Sequence, residues 1–356
     1  MRLLAINPGS TSTKIAVFEN TDELFTITLR HGVDELAPYP KIIDQYEYRK
    51  EIIIATLRNS GFKLQDFNAI VGRGGLLKPI PGGVYRVNDR LIEDLRKEIM
   101  GEHASNLGGI LAKEIAESID GNVGAYIVDP VVVDELQDVA RFSGHPEIPR
   151  VSIFHALNQK AVARRYAREH NKKYEELDLI VAHLGGGITV GVHKHGKVID
   201  VNNGLDGDGP FSPERAGGLP SGALAKLCFS RRFELREVRK MITGGGGIVA
   251  YLGTNNMFEV EKMVMNDDKK AALVFDAMIY QICKEIGACA TVLKGKFDSI
   301  IITGGLARSE LAISKIKDRV SFLGKIAVYP GEDEMQALAE GVYYASIGEI
   351  QIKEYV

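Results

Sequence analysis

The chain has 356 residues, too many for one ordinary hydrophobic core, so two α/β domains are expected. Lys and Arg number 44 against 47 Asp and Glu, which excludes a strongly basic nucleic-acid-binding or membrane-binding surface. The three cysteines show no C-x-x-C spacing, which disfavours a disulfide framework or a zinc site. The apolar run after Met1-Arg2 is too short for a signal peptide, so we expect a cytoplasmic protein with small-molecule partners.

A hairpin suited to phosphate is predicted at residues 3–18, where two apolar runs flank a turn of small and hydroxyl residues. Gly9 permits close backbone approach, Ser10 and Ser12 offer hydroxyls and amides, and Lys14 adds a positive charge. Ordinary hairpins also have hydroxyl-rich turns, so this segment alone leaves both interpretations open.

The same plan recurs at residues 179–192. There His183 stands where Asn7 stands in the first hairpin, and Gly185 stands where Gly9 stands, at an offset of 176 positions. A repeat at half the chain length predicts a duplicated α/β protein.

The domain boundary is predicted just before Val151–His155, which leads into a helix at 156–169. The N-terminal domain is then 1–150 and the C-terminal domain 151–356, with the alternative that a helix near 333–348 completes the first domain.

Two charged residues follow predicted strands of the first domain. Arg73 comes after the apolar run 69–71 and opens a loop rich in glycine and proline, and Asp129 follows the strand at 123–128. Loops at the carboxyl ends of strands line the ligand crevice of an open α/β sheet, so both are candidate site residues. The alternatives are a solvated loop charge for Arg73 and a capping role for Asp129.

Helical spacing predicts a helix at 46–59 and another from Asp89 toward Ile119, with a break at 101–107. The break contains His103 and Asn106, which either form the floor of a ligand cleft or restart the helix.

In the second half, a long loop at 202–222 contains Arg215, and loops of this length are functional or disordered. The buried strand 299–303 ends in Gly304, Gly305 and Leu306, an arrangement that places backbone against an adenosine. Glu332 and Glu334 precede the last helix, where acidic residues either complement the helix dipole or bind a metal.

Two such hairpins followed by a Gly-Gly loop resemble the superfamily of actin, sugar kinases and Hsp70. Within it, the segments 7–14 and 183–189 are similar to the paired motifs of the acetate and butyrate kinase family (the acetokinase family). The match runs through the whole chain, and its longest strings resemble the butyrate kinase branch: Gly72–Asn88, Asp129–Glu135, Ser152–Arg164, Asp208–Arg215 and Gly244–Thr254.

The resemblance implies an α/β fold of two ribonuclease-H-like (actin-like ATPase) domains with an interdomain active-site cleft. It also implies Mg²⁺- and ATP-dependent phosphorylation of a short-chain fatty acid, butyrate first of all, to its acyl phosphate and ADP, reversible toward ATP, by a homo-oligomer. The alternatives are an acetate, propionate or branched-chain acid kinase, a sugar kinase, and a non-catalytic ATP-binding switch.

The resemblance also assigns residues. Acetate kinases carry an arginine after the second hairpin, which the segment 218–221 lacks, so Arg215 is given that role. The catalytic set is Arg73, Asp129, His183 and Arg215. The nucleotide set is Asn7, Ser10, Ser12, Lys14, Gly185, Gly186, Gly187, Gly304, Gly305 and Leu306. The metal candidates are Asn7, Glu332 and Glu334.

The chemistry suits these residues. A carboxylate substrate is ionised at neutral pH, so no general base is needed, and catalysis consists of positioning and of neutralising the transferring phosphoryl group. A sugar hydroxyl would instead require Asp129 to accept its proton.

Overall fold

The computed structural model of the chain describes residues 1–119, 121 and 123–356. Its strands are β1 (Arg2–Pro8), β2 (Ser12–Glu19), β3 (Asp22–Arg30), β4 (Ala69–Arg73), β5 (Val84–Arg86), β6 (Gly124–Val128), β7 (Asp178–Leu184), β8 (Ile188–Lys194), β9 (Lys197–Val201), β10 (Ser299–Gly304), β11 (Ile326–Pro330) and β12 (Ile352–Glu354). Its α-helices are α1 (Val33–Leu36), α2 (Tyr46–Asn59), α3 (Asp89–Arg96), α4 (Asn106–Glu117), α5 (Ala156–Glu169), α6 (Ser221–Cys228), α7 (Leu235–Ile242), α8 (Ile248–Leu252), α9 (Met257–Met265), α10 (Lys269–Val292), α11 (Glu310–Val320) and α12 (Glu334–Ser346).

The chain divides into two compact units earlier than the sequence analysis expected. Unit 1 is Met1–Val133 together with Asp333–Val356, and unit 2 is Asp134–Glu332. The segment 134–150 belongs to unit 2 because the Gln137 amide donates to the Ile199 carbonyl, 2.9 Å away, and Arg150 pairs with Asp200. The predicted boundary after residue 150 therefore falls inside unit 2. The C-terminal helix lies in unit 1, as the alternative allowed.

Both units contain the same strand plan. In unit 1 an antiparallel meander continues into parallel strands in the order β3-β2-β1-β4-β6, and in unit 2 the order is β9-β8-β7-β10-β11. Unit 1 adds the short strands β5 and β12 beyond β6. The duplicated α/β architecture that the two hairpins predicted is thereby confirmed.

Continuous apolar runs build the centres of both sheets. Residues 3–6 of β1 and 179–182 of β7 have no exposed side-chain surface. Burial without alternation means that both faces of a strand are covered, as is usual where parallel strands lie beneath helices. In unit 1, α4 and α12 pack against β1, β4 and β6. In unit 2, α5 and α10 pack against β7.

The strand that presents Arg73 is positioned by direct contact between its backbone and a helix. A Cβ added to Gly72 of β4 would lie 1.9 Å from the Gly108 carbonyl oxygen of α4, and a Cβ on Gly108 would lie 2.2 Å from the Arg73 carbonyl oxygen. Two glycines therefore let helix and strand approach closely, and this fixes the end of the strand.

We expect Gly72→Ala to destabilise unit 1 by at least about 2 kcal/mol, because neither partner of the clash is a flexible side chain. Urea unfolding of the purified protein measures the effect. The control is Gly287→Ala on α10, where an added Cβ meets nothing within 4 Å. That variant should be stabilised by up to about 1 kcal/mol through helix propensity. Equal stabilities of the two variants would contradict the prediction.

Candidate active site

A pocket of about 440 Å³ lies in unit 2 at the ends of β7 and β10. It unites several residues that the sequence analysis assigned to the nucleotide, and its lining also includes side chains that no motif indicated. The lining consists of Gly185, Gly186, Pro213, Glu214, Asn255, Met257, Phe258, Glu261, Gly305, Leu306, Arg308, Ser309 and Glu332. Its size suits a nucleoside, since small-molecule sites begin at about 300 Å³.

The glycines around this pocket have different structural roles. A Cβ on Gly305 would meet nothing within 4 Å, so this residue keeps the pocket open. Gly304 has φ +94, and its Cβ would lie 2.4 Å from the Leu184 carbonyl oxygen. Gly304 is thus required for packing between strands and is not among the residues that line the pocket, and its contact with the nucleotide stays a prediction. Gly187 likewise makes room for the Arg215 guanidinium, which its Cβ would overlap at 2.0 Å.

His183 is the penultimate residue of β7 and is buried beside the pocket. Its Nδ1 is 2.8 Å from Asn158 Oδ1, and its Nε2 is 3.1 Å from Glu332 Oε1. Within the described chain that Nε2 has no partner at hydrogen-bonding geometry. A Cβ on Gly185 would lie 2.5 Å from the Glu332 oxygen and 2.9 Å from His183 Nε2, so this glycine makes room for both groups.

A second histidine, which sequence reasoning missed, lies against His183. The rings of His155 and His183 stack with centroids 3.8 Å apart and planes 11° from parallel. His155 Nδ1 is 2.9 Å from Thr189 Oγ1 of β8. The sequence offered one signal for it, a histidine directly after the apolar segment 151–154 and immediately before a helix.

Arg215 is held behind the second hairpin turn. Its guanidinium donates to the Gly204 carbonyl oxygen at 2.7 Å, and its buried Nε has no hydrogen-bond partner among the residues described. Burial lowers the pKa of Arg215 from its usual value, and neighbouring Glu214 opposes the shift. Ser212 fixes the same turn by donating its hydroxyl to the Gly186 carbonyl oxygen at 2.5 Å.

In unit 1 the structure brings together three assigned residues. Asn7 Nδ2 donates to Glu334 Oε2 at 2.5 Å, and Arg73 donates to the same carboxylate at 3.1 Å. Arg73 also reaches Asn7 Oδ1 at 3.3 Å. About a third of the Arg73 side chain stays exposed, so its guanidinium is accessible to an anion.

Other candidate site residues of unit 1 hold loops in place through hydrogen bonds. Asp129 is 1% exposed with φ +37, and its Oδ1 accepts from the Gly83 amide at 2.7 Å. Asn106, also buried, accepts from the Leu76 amide and donates to the Gly101 carbonyl. Asn106 therefore holds the loop after Arg73 and is the first residue of α4, so the helix restarts here, as one of the two alternatives stated. The predicted partner His103 is exposed and contacts Ser105.

The first hairpin turn is held from within by Arg49, which sequence reasoning missed. This α2 side chain has no exposed surface, and its guanidinium donates to the carbonyl oxygens of Gly9, Ser10 and Ser12 at 2.8, 3.0 and 2.9 Å. Burial lowers its pKa to about 10, so it remains a cation at neutral pH. Lys14, on β2, is exposed.

The sequence was compared with protein families and with characterised proteins. Residues 148–332 match the model of the acetokinase family. Butyrate kinases 2 and 1 of Clostridium acetobutylicum are 57% and 56% identical over 354 residues, 99% of this chain and of each relative. The chain belongs to the acetokinase family. The family resemblance is confirmed, as is the prediction of an ATP-using phosphotransferase with a carboxyl group as acceptor.

Solved structures support the fold. Acetate kinase of Porphyromonas gingivalis superposes with TM-score 0.80 at 18% identity, covering 96% of this chain and 98% of its own. Propionate kinase of Francisella tularensis gives 0.74 at 18% identity, covering 95% and 98%. The predicted actin-like ATPase fold is confirmed at this level.

No described helix is both long and apolar enough to cross a membrane. No described cluster contains three or more His, Cys, Asp or Glu side chains placed to hold a metal ion.

Replacing Arg49 with methionine should raise the KM for ATP and lower kcat at least about tenfold, because three turn carbonyls lose their donors and the turn amides lose their orientation. Steady-state kinetics with ATP and acid varied separately tests this. A purely structural role would lower the melting temperature and leave the KM for ATP unchanged in the folded fraction. Arg58→Met, on the exposed end of the same helix, is the control and should behave as wild type.

Proposed function

We propose that this protein transfers the γ-phosphoryl group of ATP to the carboxylate of butyrate, giving butyryl phosphate and ADP, and that it catalyses the reverse reaction. The observation that carries the proposal is the similarity of the whole chain to the two butyrate kinases. A cytoplasmic location and a homo-oligomer stay predictions. A cleft shared by the two domains likewise stays a prediction.

We assign the unit 2 pocket to the nucleotide. Gly305 leaves space for the adenosine next to Leu306, and Gly186 and Gly187 offer backbone amides to the phosphates, whereas the Gly185 amide donates to the Gly187 carbonyl within the turn. Arg215 lies directly behind Gly187 and adds a fixed positive charge there. An arginine in this position stabilises negative charge that develops during phosphoryl transfer.

We assign Mg²⁺ to the oxygen-bearing side chains of unit 1. Asn7 and Glu334 carry the amide and carboxylate oxygens that this ion prefers, and a Mg²⁺ site needs few protein ligands when substrate phosphates are present. When bound, the ion supplies charge neutralisation for the phosphates. Glu332 fits a different role, since its carboxylate lies 3.1 Å from His183 Nε2 and places a negative charge beside that ring.

The proposed step is a direct displacement. A carboxylate oxygen of the acid forms a bond to the γ-phosphorus, the bond from that phosphorus to the bridging oxygen breaks, and the electron pair leaves with ADP. Arg73 supplies the cation for the acid or for the transferring group, and no residue has to remove a proton.

The state of Asp129 favours a carboxylic acid over a sugar as acceptor. A sugar kinase needs an accessible carboxylate to accept the hydroxyl proton. Asp129 is buried, and one of its oxygens is bonded to the Gly83 amide. We therefore assign Asp129 to holding the loop beside Arg73, a role that a reaction without a general base permits.

Arg73→Ala should lower kcat/KM at least about a hundredfold, because removal of a preorganised cation from a phosphoryl-transfer site costs roughly 3 kcal/mol. The rate is followed as ATP-dependent hydroxamate formation. Arg86→Ala is the matched control, since Arg86 also lies on a strand and pairs with a glutamate, Glu354. Near-normal turnover of Arg73→Ala would remove Arg73 from the site.

Butyrate should be preferred to acetate by about tenfold or more in kcat/KM, because each buried methylene is worth about 1 kcal/mol. Acetate, propionate, butyrate and isobutyrate are compared in the hydroxamate assay under one condition. If acetate is the best substrate, the butyrate assignment is wrong and a carboxylate kinase remains. If a sugar reacts and no acid does, the proposed mechanism is wrong.

A further inference from the structure

A chain of buried polar side chains begins at His155 and runs away from the site. His155 Nδ1 lies 2.9 Å from Thr189 Oγ1, which lies 2.8 Å from Gln159 Nε2. Gln159 Oε1 lies 3.0 Å from His193 Nε2, and His193 Nδ1 lies 2.7 Å from the Tyr174 hydroxyl. Thr189, Gln159 and His193 have no exposed surface. Such a chain is stable only if each donor faces an acceptor.

The orientation of Gln159 is fixed by a group that can only accept. Gln159 Nε2 is 3.1 Å from the Thr189 carbonyl oxygen, so the amide nitrogen must face that carbonyl. The amide oxygen then faces His193. Gly191 leaves room for this arrangement, because a Cβ there would lie 2.4 Å from Gln159 Oε1. A glycine inside β8 is explained by this close approach.

The orientation of Gln159 decides the proton positions on His193. An amide oxygen accepts only, so His193 Nε2 carries a proton. Complete burial lowers the pKa of His193 well below its usual value, with the charges of Lys160 and Arg164 adding to the effect, so the ring is neutral. Its Nδ1 therefore has no proton and accepts from the Tyr174 hydroxyl.

In the other direction, the chain reaches the stacked histidine. Thr189 Oγ1 accepts a hydrogen bond from Gln159 Nε2, which leaves its own hydroxyl proton to donate. The acceptor within reach is His155 Nδ1, and an unpaired proton on a fully buried hydroxyl would be unfavourable. His155 therefore has its proton on Nε2 when neutral.

We propose that Thr189, Gln159, His193 and Tyr174 are positioning residues that hold His155 as the Nε2–H tautomer. In this form the ring stacked on His183 directs a proton, and not a lone pair, from Nε2, and we expect the rate of the proposed reaction to depend on this orientation. This part of the inference rests on the proposed function. The tautomer itself does not, because it follows from the hydrogen-bond directions alone.

The tautomer is measured directly by ¹⁵N NMR of the full chain labelled on histidine, with His155→Gln and His193→Gln spectra assigning the two rings. In wild type, both rings should show a pyridine-like Nδ1 and a pyrrole-like Nε2. A protonated Nδ1 on either neutral ring would overturn the proposal. This readout does not depend on activity. A wrong tautomer contradicts the inference, whereas a wild-type protein that forms no hydroxamate contradicts the proposed function.

Variants of Thr189 test the consequence for the rate. Thr189→Val removes the hydroxyl and should lower kcat roughly tenfold with a small change in the KM for ATP, together with loss of the pure His155 tautomer. Thr189→Ser keeps the hydroxyl and should restore both. Equal kcat values for the Val and Ser variants would overturn the proposal, because the rate would then not depend on whether residue 189 carries a hydroxyl.

Tyr174, at the far end of this series of hydrogen-bonded side chains, gives a second test. Tyr174→Phe keeps the ring and removes the donor to His193 Nδ1, so it should shift the Nδ1 resonance of His193 while Nε2 keeps its proton toward Gln159 Oε1. Tyr166→Phe is the matched control, because Tyr166 is a buried tyrosine of the same apolar cluster and does not belong to the series of hydrogen-bonded side chains. If both variants keep the wild-type His193 spectrum, the Tyr174 hydroxyl does not donate to His193 Nδ1, which contradicts the inference.

Discussion

A turn that binds phosphate through its amides must satisfy its carbonyls from the opposite side, and this constraint accounts for much of the structure around the site. In the first hairpin the Arg49 guanidinium takes the carbonyls of Gly9, Ser10 and Ser12. In the second, the Ser212 hydroxyl takes the Gly186 carbonyl. Each turn is thus held by a buried donor that belongs to another segment and by one hydrogen bond of its own, from the Gly9 amide to the Ser12 carbonyl and from the Gly185 amide to the Gly187 carbonyl.

The duplicated hairpins keep one position and change its surroundings. Thr13 and Thr189 stand 176 residues apart, both fully buried, and each hydroxyl contacts a histidine, His31 in the first unit and His155 in the second. In unit 1 the threonine contacts a cation, Arg49; in unit 2 it contacts a neutral amide, Gln159. Unit 1 therefore places a charged group against this threonine, whereas unit 2 places a directional series of neutral groups against it.

Local pattern was sufficient for the long elements and for the motifs at strand ends, because apolar periodicity and glycine spacing are properties of neighbouring residues. The helices at 46–59 and 156–169 lie where the periodicity predicts them. The strands β5 and β12 have three residues each and exist only through pairing with distant partners, which no local pattern reveals. Arg49 was missed for the same reason: its role depends on a turn about 40 residues away.

Not every glycine of the two glycine-rich motifs is there to contact a ligand. Gly185 and Gly305 belong to the pocket, but Gly187 and Gly304 are needed because the Arg215 guanidinium and the Leu184 backbone occupy the space of a side chain. Substituting either of the latter would displace protein atoms before it touched a nucleotide. The repeated glycines therefore combine two constraints, an open pocket and close packing behind it, and only coordinates separate the two because both select the same residue.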